Sequence, residues 1–187
     1  VTKLGKYDIK IVASRKKKHI SRKVAVKVVD TQAPVISLSG DTEITLEAGS
    51  NYEEAGFSAV DNYDGDITDK VETSAEVDTY TTGDTTIVYS VKDSSGNEAF
   101  TERVIHVEDT TAPQISLTGG EVYYIRMGDT YSEPGYIAVD MCDGDVTDKV
   151  SVSGNVDTAN AGKYTVTYNV SDNCGNESEV QRTVNVR

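Results

Sequence analysis

Hydrophobic and polar residues alternate with a period of two along most of this chain. Tyr7, Ile9, Ile11 and Ala13 are separated by more polar positions, the pattern of a strand with one buried face. The same reading predicts strands over Glu43–Glu47, Phe57–Asp61, Val71–Ala75, Thr85–Lys92 and Ala99–Glu108, with Val77-Asp78-Thr79 a short edge piece. Val35–Leu38 and Ile115–Leu117 begin a strand directly after an Ala-Pro pair. Turn-forming clusters punctuate these runs: Ala48-Gly49-Ser50-Asn51, Asp64-Gly65-Asp66 and Asp93-Ser94-Ser95-Gly96-Asn97. No stretch has a helical period. About seven short strands at such spacing predict an all-β, antiparallel β-sandwich with Greek-key connections.

The pattern occurs twice. Asp61-Asn62-Tyr63-Asp64-Gly65-Asp66-Ile67-Thr68-Asp69-Lys70-Val71 returns as Asp140-Met141-Cys142-Asp143-Gly144-Asp145-Val146-Thr147-Asp148-Lys149-Val150. The offset of 79 residues holds without a gap from Pro34/Pro113 to Val107/Val186, the mark of a repeat protein. The expected domains are residues 30–108 and 109–187. Residues 1–29 read as the last hairpin of a preceding repeat, because Gly5-Lys6-Tyr7-Asp8-Ile9-Lys10-Ile11 aligns with Gly162-Lys163-Tyr164-Thr165-Val166-Thr167-Tyr168. A two-stranded hairpin is marginal in water by itself, so further strands, from this chain or another, are expected to cover it. The joints Asp30-Thr31-Gln32-Ala33-Pro34 and Asp109-Thr110-Thr111-Ala112-Pro113 are short and end in proline, which favours a stiff connection.

Each repeat carries the frame Ala-Pro-x-Ile-x-Leu-x-Gly, Gly-x-x-Tyr, Ala-Val-Asp, Asp-Gly-Asp-[Ile/Val]-Thr and Val-Asp-Thr. A Gly-x-Tyr-x-Val-x-Tyr-x-Val strand, Asp-x-x-Gly-Asn and a final valine strand complete it, with some positions varying between copies. This frame is similar to the bacterial immunoglobulin-like repeats of the group 3 or HYR-like type, found in tandem on bacterial surface proteins and secreted enzymes. The resemblance covers both full repeats and the partial one. It implies tandem immunoglobulin-like sandwiches in an extracellular setting, on the cell surface or secreted, and says little of a ligand.

Charge narrows the partners. Residues 1–29 hold ten Lys and Arg against Asp8 alone, a net +9, and the rest of the chain carries −22. The acidic repeats repel nucleic acid and anionic membranes. No apolar run is long enough to cross a bilayer as a helix. Only the basic loop Arg15-Lys16-Lys17-Lys18, followed by His19, suits a polyanion such as a wall polymer or a sulfated glycan. A solvated hairpin tip and docking onto an acidic neighbouring repeat are the other readings.

Two groups of side chains carry candidate chemistry. Cys142 and Cys174 lie in loops expected at the same end of the second sandwich, and the first repeat has Tyr63 and Ser95 in their places. Both cysteines are present or absent together, as a bonded pair requires. A Cys142–Cys174 disulfide closing about 30 residues would stabilise by roughly 3–4 kcal/mol in the chain-entropy model and fits an oxidising compartment. The carboxylates Asp61, Asp64, Asp66 and Asp93, with Asp140, Asp143, Asp145 and Asp172 in the second copy, are expected to gather near Asp30 and Asp109. Two readings stand: Asp accepting hydrogen bonds from its own turn, or oxygen ligands for calcium. No cofactor beyond calcium is indicated. The partial repeat has Arg15 in place of Asp93 and Asp172.

Catalysis finds no support in the pattern. His19 and His106 have no nucleophile and acid beside them, and the acidic pairs lie on turns of a repeated scaffold. Tyr89, Tyr164 and Tyr168 read as core, and Tyr63 and Tyr80 as exposed. The expected role is a non-catalytic spacer, a semi-rigid stalk presenting an adhesive or catalytic domain and touching mainly its neighbouring repeats. The alternatives are a binding module for a glycan or host protein, and an accessory region of a secreted hydrolase.

Overall fold

The computed structural model describes residues 3–187, nearly all of whose regular structure is strand. β1 (Gly5–Arg15) and β2 (Lys18–Val28) form an antiparallel hairpin turning at Lys16 and Lys17. The first repeat supplies β3 (Val35–Leu38), β4 (Glu43–Glu47), β5 (Phe57–Asp61), β6 (Gly65–Asp66), β7 (Glu72–Thr73), β8 (Gly83–Lys92) and β9 (Glu98–Glu108). The second supplies β10 (Gln114–Leu117), β11 (Val122–Ile125), β12 (Tyr136–Asp140), β13 (Gly144–Asp145), β14 (Ser151–Ser153), β15 (Gly162–Ser171) and β16 (Glu177–Val186).

The sheets of the first repeat run β3-β5-β6 and β4-β9-β8-β7; those of the second run β10-β12-β13 and β11-β16-β15-β14. These are immunoglobulin-like β-sandwiches, as the alternation predicts, with one departure. β4 pairs with β9 in parallel, and β11 with β16 likewise, so one sheet of each repeat is mixed rather than antiparallel. A strand that arrives from the facing sheet rather than through a hairpin is not obliged to reverse direction. The edge piece at Val77-Asp78-Thr79 is absent. Its residues form a loop in which Asp78 holds the Tyr80 N–H at 2.9 Å and the Thr81 hydroxyl at 2.8 Å. A single 3-10 turn, Thr68–Lys70 and again Thr147–Lys149, follows each Asp-Gly-Asp loop.

The chain separates into two compact units that cut across the first repeat. One comprises Val1–Thr42, Glu54–Glu76 and Thr86–Arg103; the other comprises Glu43–Glu53, Val77–Thr85 and Val104–Arg187. The first has a core of Ala59, Ile67 and Val91, packed by Ile36, Val71 and Ala99. The second is built on Ala138, Val146 and Val170 and on Val166, Tyr168 and Val184. The period of two is realised directly in β15, where Val166, Tyr168 and Val170 are buried and their neighbours are not.

Each unit also buries a cation that the alternation does not announce. Arg103 and Arg182 are fully buried. Arg103 donates to Glu54 Oε1 at 2.8 Å and to the Ser39 carbonyl at 2.5 Å. Arg182 donates to Glu133 and to the Thr118 carbonyl at 2.7 Å. The Tyr168 hydroxyl donates to Glu133 at 2.6 Å, and Tyr89 to Glu54. Burial, and then the Glu133 carboxylate, push the Tyr168 hydroxyl far above the ordinary tyrosine range. A buried charge is tolerable when paired and hydrogen-bonded in this way.

Candidate functional site: linker carboxylates and a basic hairpin

In the second compact unit, Asp109 opens the linker, Asp140 ends β12 and Asp172 begins the turn after β15. Each offers a carboxylate oxygen, and these oxygens lie within 4.8 Å of one another. In the first unit Asp30, Asp61 and Asp93 make the same triad. Asp61, Asp93, Asp140 and Asp172 are 3–7% exposed, Asp109 is 9%, and Asp30 is partly buried.

Turn chemistry accounts for one oxygen of most of these residues. Asp61 Oδ1 accepts the N–H groups of Tyr63 and Asp64, both at 2.8 Å, and Asp140 Oδ1 accepts those of Cys142 and Asp143, also at 2.8 Å. Asp30 Oδ1 takes Gln32 N–H at 3.2 Å, and Asp109 Oδ1 takes Thr111 N–H at 3.3 Å. Oδ2 of Asp30, Asp61, Asp109 and Asp140 is buried, and no hydrogen-bond donor among the described residues reaches it. Burial first, and then the Asp140, Asp172 and Glu47 carboxylates, push the Asp109 carboxyl up, against the lowering effect of the Thr111 N–H. Burial acts upward on Asp172 too, but the Asn176 side chain and the N–H groups of Asn176, Gly175 and Cys174 leave it below the ordinary range.

The eight aspartates expected in two clusters therefore part company. Asp61, Asp93, Asp140 and Asp172 join the linker residues Asp30 and Asp109. Asp64 instead accepts Ser94 N–H at 2.6 Å and Ser94 Oγ–H at 2.7 Å. Asp143 accepts Asn173 N–H at 2.7 Å and pairs with Lys149 at 3.3 Å. Asp66 and Asp145 hold the N–H groups of Thr68 and Thr147, both at 3.0 Å. These four are committed to turns. The buried, repulsive arrangement of the other six is a donor set that a hard divalent cation such as calcium can take.

The expected disulfide is not formed: Cys142 and Cys174 are free thiols. The Cys142 thiol donates instead to the Tyr80 carbonyl at 3.2 Å. Burial, then the Asp109 carboxylate and its acidic neighbours, raise both thiols and keep them protonated.

The second linker is pinned from both ends. Glu47 accepts Thr110 N–H at 2.9 Å and the hydroxyls of Thr110 and Thr111 at 2.7 and 2.6 Å. Asn176 donates to the Asp109 carbonyl at 3.0 Å. Gly49, at φ 79, leaves space that Met141 fills: a Cβ there would lie 2.4 Å from Met141 Cγ. Glu47 has no sequence signal, since Arg126 occupies its place in the second repeat. Arg103 and Arg182 did have one, a repeated charge at an inward strand position.

The hairpin β1–β2 is the basic counterpart. Its register sets Lys6 opposite Lys27, Lys10 opposite Lys23 and Arg15 opposite Lys18, with Lys16 and Lys17 at the tip. Arg15, Lys16, Lys17 and Lys18 are all exposed. Lys6, Lys10, Lys23 and Lys27 share one face, and Arg15 and Lys18 lie on the other with Tyr7, Ile9 and Ile11, which are 40, 49 and 57% exposed. Their equivalents Val166 and Tyr168 in the second repeat are buried. Tyr63 and Tyr80 are exposed, as expected.

An immunoglobulin-like sandwich in tandem, with acidic linker sites and a basic hairpin, is the class of protein these features define. The chain belongs to the family described as bacterial surface protein, Ig-like domain, whose model matches residues 36–107 and 115–186. It is similar to pesticidal crystal protein Cry22Aa of Bacillus thuringiensis, at 32% identity over 74% of this chain and 20% of that protein. Hyalin of Strongylocentrotus purpuratus is 30% identical over 83% of this chain and 14% of its own length. The chain thus spans about a fifth or less of these curated relatives. Among solved structures, the M60 catalytic domain with the CBM51-1 and CBM51-2 domains of Clostridium perfringens ZmpB is similar, with TM-score 0.48 and 15% identity over 90% of this chain and 32% of that one. No helix among the described residues is long and apolar enough to cross a membrane.

Proposed function

We propose that this chain is a binding and adhesive module of an extracellular bacterial protein, surface-attached or secreted, and that its basic hairpin takes an anionic polymer such as a wall polymer or sulfated glycan. The observation that carries this reading is the cross-strand register of β1 and β2. Like charges placed directly opposite destabilise a hairpin, and this one has Lys6–Lys27 and Lys10–Lys23 on one face and Arg15–Lys18 on the other, beside the Lys16–Lys17 tip. A polyanion lying along the ribbon offsets that repulsion. The net −22 of residues 30–187 repels the same polymer, which restricts binding to the hairpin and gives it direction.

Retention on immobilised heparin and on a teichoic-acid-type polymer tests the proposal, with a neutral glycan array as control. Binding is expected at low salt and is expected to weaken steeply as salt rises. Replacing Arg15, Lys16, Lys17 and Lys18 together by Gln should weaken it at least tenfold. Absence of retention at low salt would remove this reading.

A second reading is the stalk, and a separate observation favours it. The Thr110-Thr111 linker is held by Glu47 on one side and by Asn176 on the other. A joint tied in this way presents a neighbouring domain at a fixed angle, whether that neighbour binds a host protein or belongs to a secreted hydrolase.

A further inference from the structure

We infer that each repeat carries a site for a hard divalent cation of the calcium class at its linker, formed by Asp30, Asp61 and Asp93 in one copy and by Asp109, Asp140 and Asp172 in the other. An acidic cluster alone would not support this; the orientation of the carboxylates does. Asp61 and Asp140 each spend Oδ1 on two backbone N–H groups. Each then holds Oδ2 in a buried position that no donor among the described residues reaches. The linker aspartate of each triad, Asp30 or Asp109, repeats the arrangement with its own Oδ1 and Oδ2. The third, Asp93 or Asp172, keeps Oδ2 for one contact, the Asn97 or Asn176 amide, at 2.6 and 2.8 Å.

Buried carboxylate oxygens without a donor are costly. Here two of them occur per triad, among three formal negative charges with oxygens within 4.8 Å. A lysine or arginine would relieve the charge, yet none is paired with any of these six residues among the ion pairs of the described residues. A divalent cation removes both difficulties at once, because it takes carboxylate oxygens as ligands and completes its shell with carbonyls and water. The oxygen-only donor set selects calcium or magnesium over soft metals.

The placement assigns the site a task. One ligand comes from the linker, one from the end of β5 or β12 and one from the turn after β8 or β15, so the cation fastens the entering chain to two elements of its own repeat. This adds to the Glu47 and Asn176 contacts at the second linker. It also gives the first linker, where Asn97 reaches the Asp30 carbonyl only at 3.5 Å, its strongest fastening.

Isothermal titration of the full chain with calcium chloride should give two sites, and calcium should raise the melting temperature by several degrees. Asp140→Asn should reduce the stoichiometry to one, and Asp61→Asn with Asp140→Asn to none, with the calcium shift in melting lost. Asn keeps the Oδ1 acceptor of the turn, so circular dichroism of the variants should match the parent. As a measurement independent of the variants, the amide resonances of Thr110, Thr111, Tyr63 and Cys142 should move on adding calcium to the unaltered chain. No heat and no resonance shift at millimolar calcium would overturn the inference. So would full calcium binding by the double variant. A calcium-independent gain in stability in that variant, without binding by the parent, would mark the triads as repulsive turn clusters and likewise refute it.

Discussion

Arg182 illustrates how much a single residue holds together in this scaffold. Its fully buried guanidinium ties Glu133 to the carbonyls of Thr118, Gly120 and Gly135. Truncation in Arg182→Ala leaves Glu133 without its cation, held only by the Tyr131 and Tyr168 hydroxyls and the Gly135 N–H, and should destabilise the second repeat by about 3–5 kcal/mol, measured by urea unfolding. Gly144 is simpler. It sits at φ 72 with nothing within 4 Å of where a Cβ would lie, so Gly144→Ala should cost only the left-handed penalty, about 1–2 kcal/mol. Titrating residues act in opposite directions. Asp64 lies below the ordinary range because Ser94 donates to it, and Asp143 because Asn173 and Lys149 do. Their contribution is present above the unfolded aspartate value and is lost as pH falls through the lower folded one. Asp84 accepts a hydrogen bond from His106 and raises it, so this contribution is complete below the unfolded histidine value and disappears as pH rises through the folded one. Melting temperature against pH should therefore show an acid limb and a shallow decline on the neutral side. His106→Gln should remove only the latter.

At the scale of elements, the two hairpins β1–β2 and β15–β16 share a pattern and differ in everything tertiary. Val166, Tyr168, Val184 and Val186 lie under a facing sheet, whereas every residue of β1 is exposed. Hydrogen exchange should consequently be fast through β1 and β2 and slow through β15 and β16, with heparin slowing the former if the hairpin is its site. Lys10→Glu converts a like-charge cross-strand pair with Lys23 into an opposite one and should stabilise the hairpin by about 0.2–1 kcal/mol. The same change should weaken polyanion binding. A gain in stability together with tighter heparin binding would contradict the proposed role.

At the scale of the molecule, the joint at Asp109–Pro113 decides between a flexible tether and a stiff one. Glu47→Ala removes three hydrogen bonds to Thr110 and Thr111, so amide relaxation of those two residues should show faster, wider motion. Repeat cores should be unaffected. Unchanged relaxation would mean that Glu47 contributes nothing to stiffness and would weaken the spacer reading. Gly49→Ala tests the same joint by steric means, since the new methyl meets Met141. Adding Met141→Ala should restore only the part of the loss that comes from the clash, leaving the strain of φ 79.

The amino-acid order by itself determined the class of fold, because strand and turn are local and the period of two is visible wherever one face of a strand is buried. It determined the two copies through an ungapped offset, the exposed basic loop through charge, and Asp61, Asp93, Asp140 and Asp172 as members of a cluster. Tertiary structure alone decided what depends on where distant segments meet. Asp64, Asp66, Asp143 and Asp145 share the composition of the triad members but turn to their own loops, a matter of side-chain direction. Asp30 and Asp109, near the clusters by sequence, became members because the linker folds back beside the last turn. The shared presence of two cysteines suggested a bond, yet co-occurrence fixes neither distance nor direction, and Cys142 points to the Tyr80 carbonyl. The parallel pairing of β4 with β9 and of β11 with β16 was likewise settled by packing between sheets, and so was the choice of Glu54 and Glu133 as partners for the two inward arginines, whose position alone the repeat made visible.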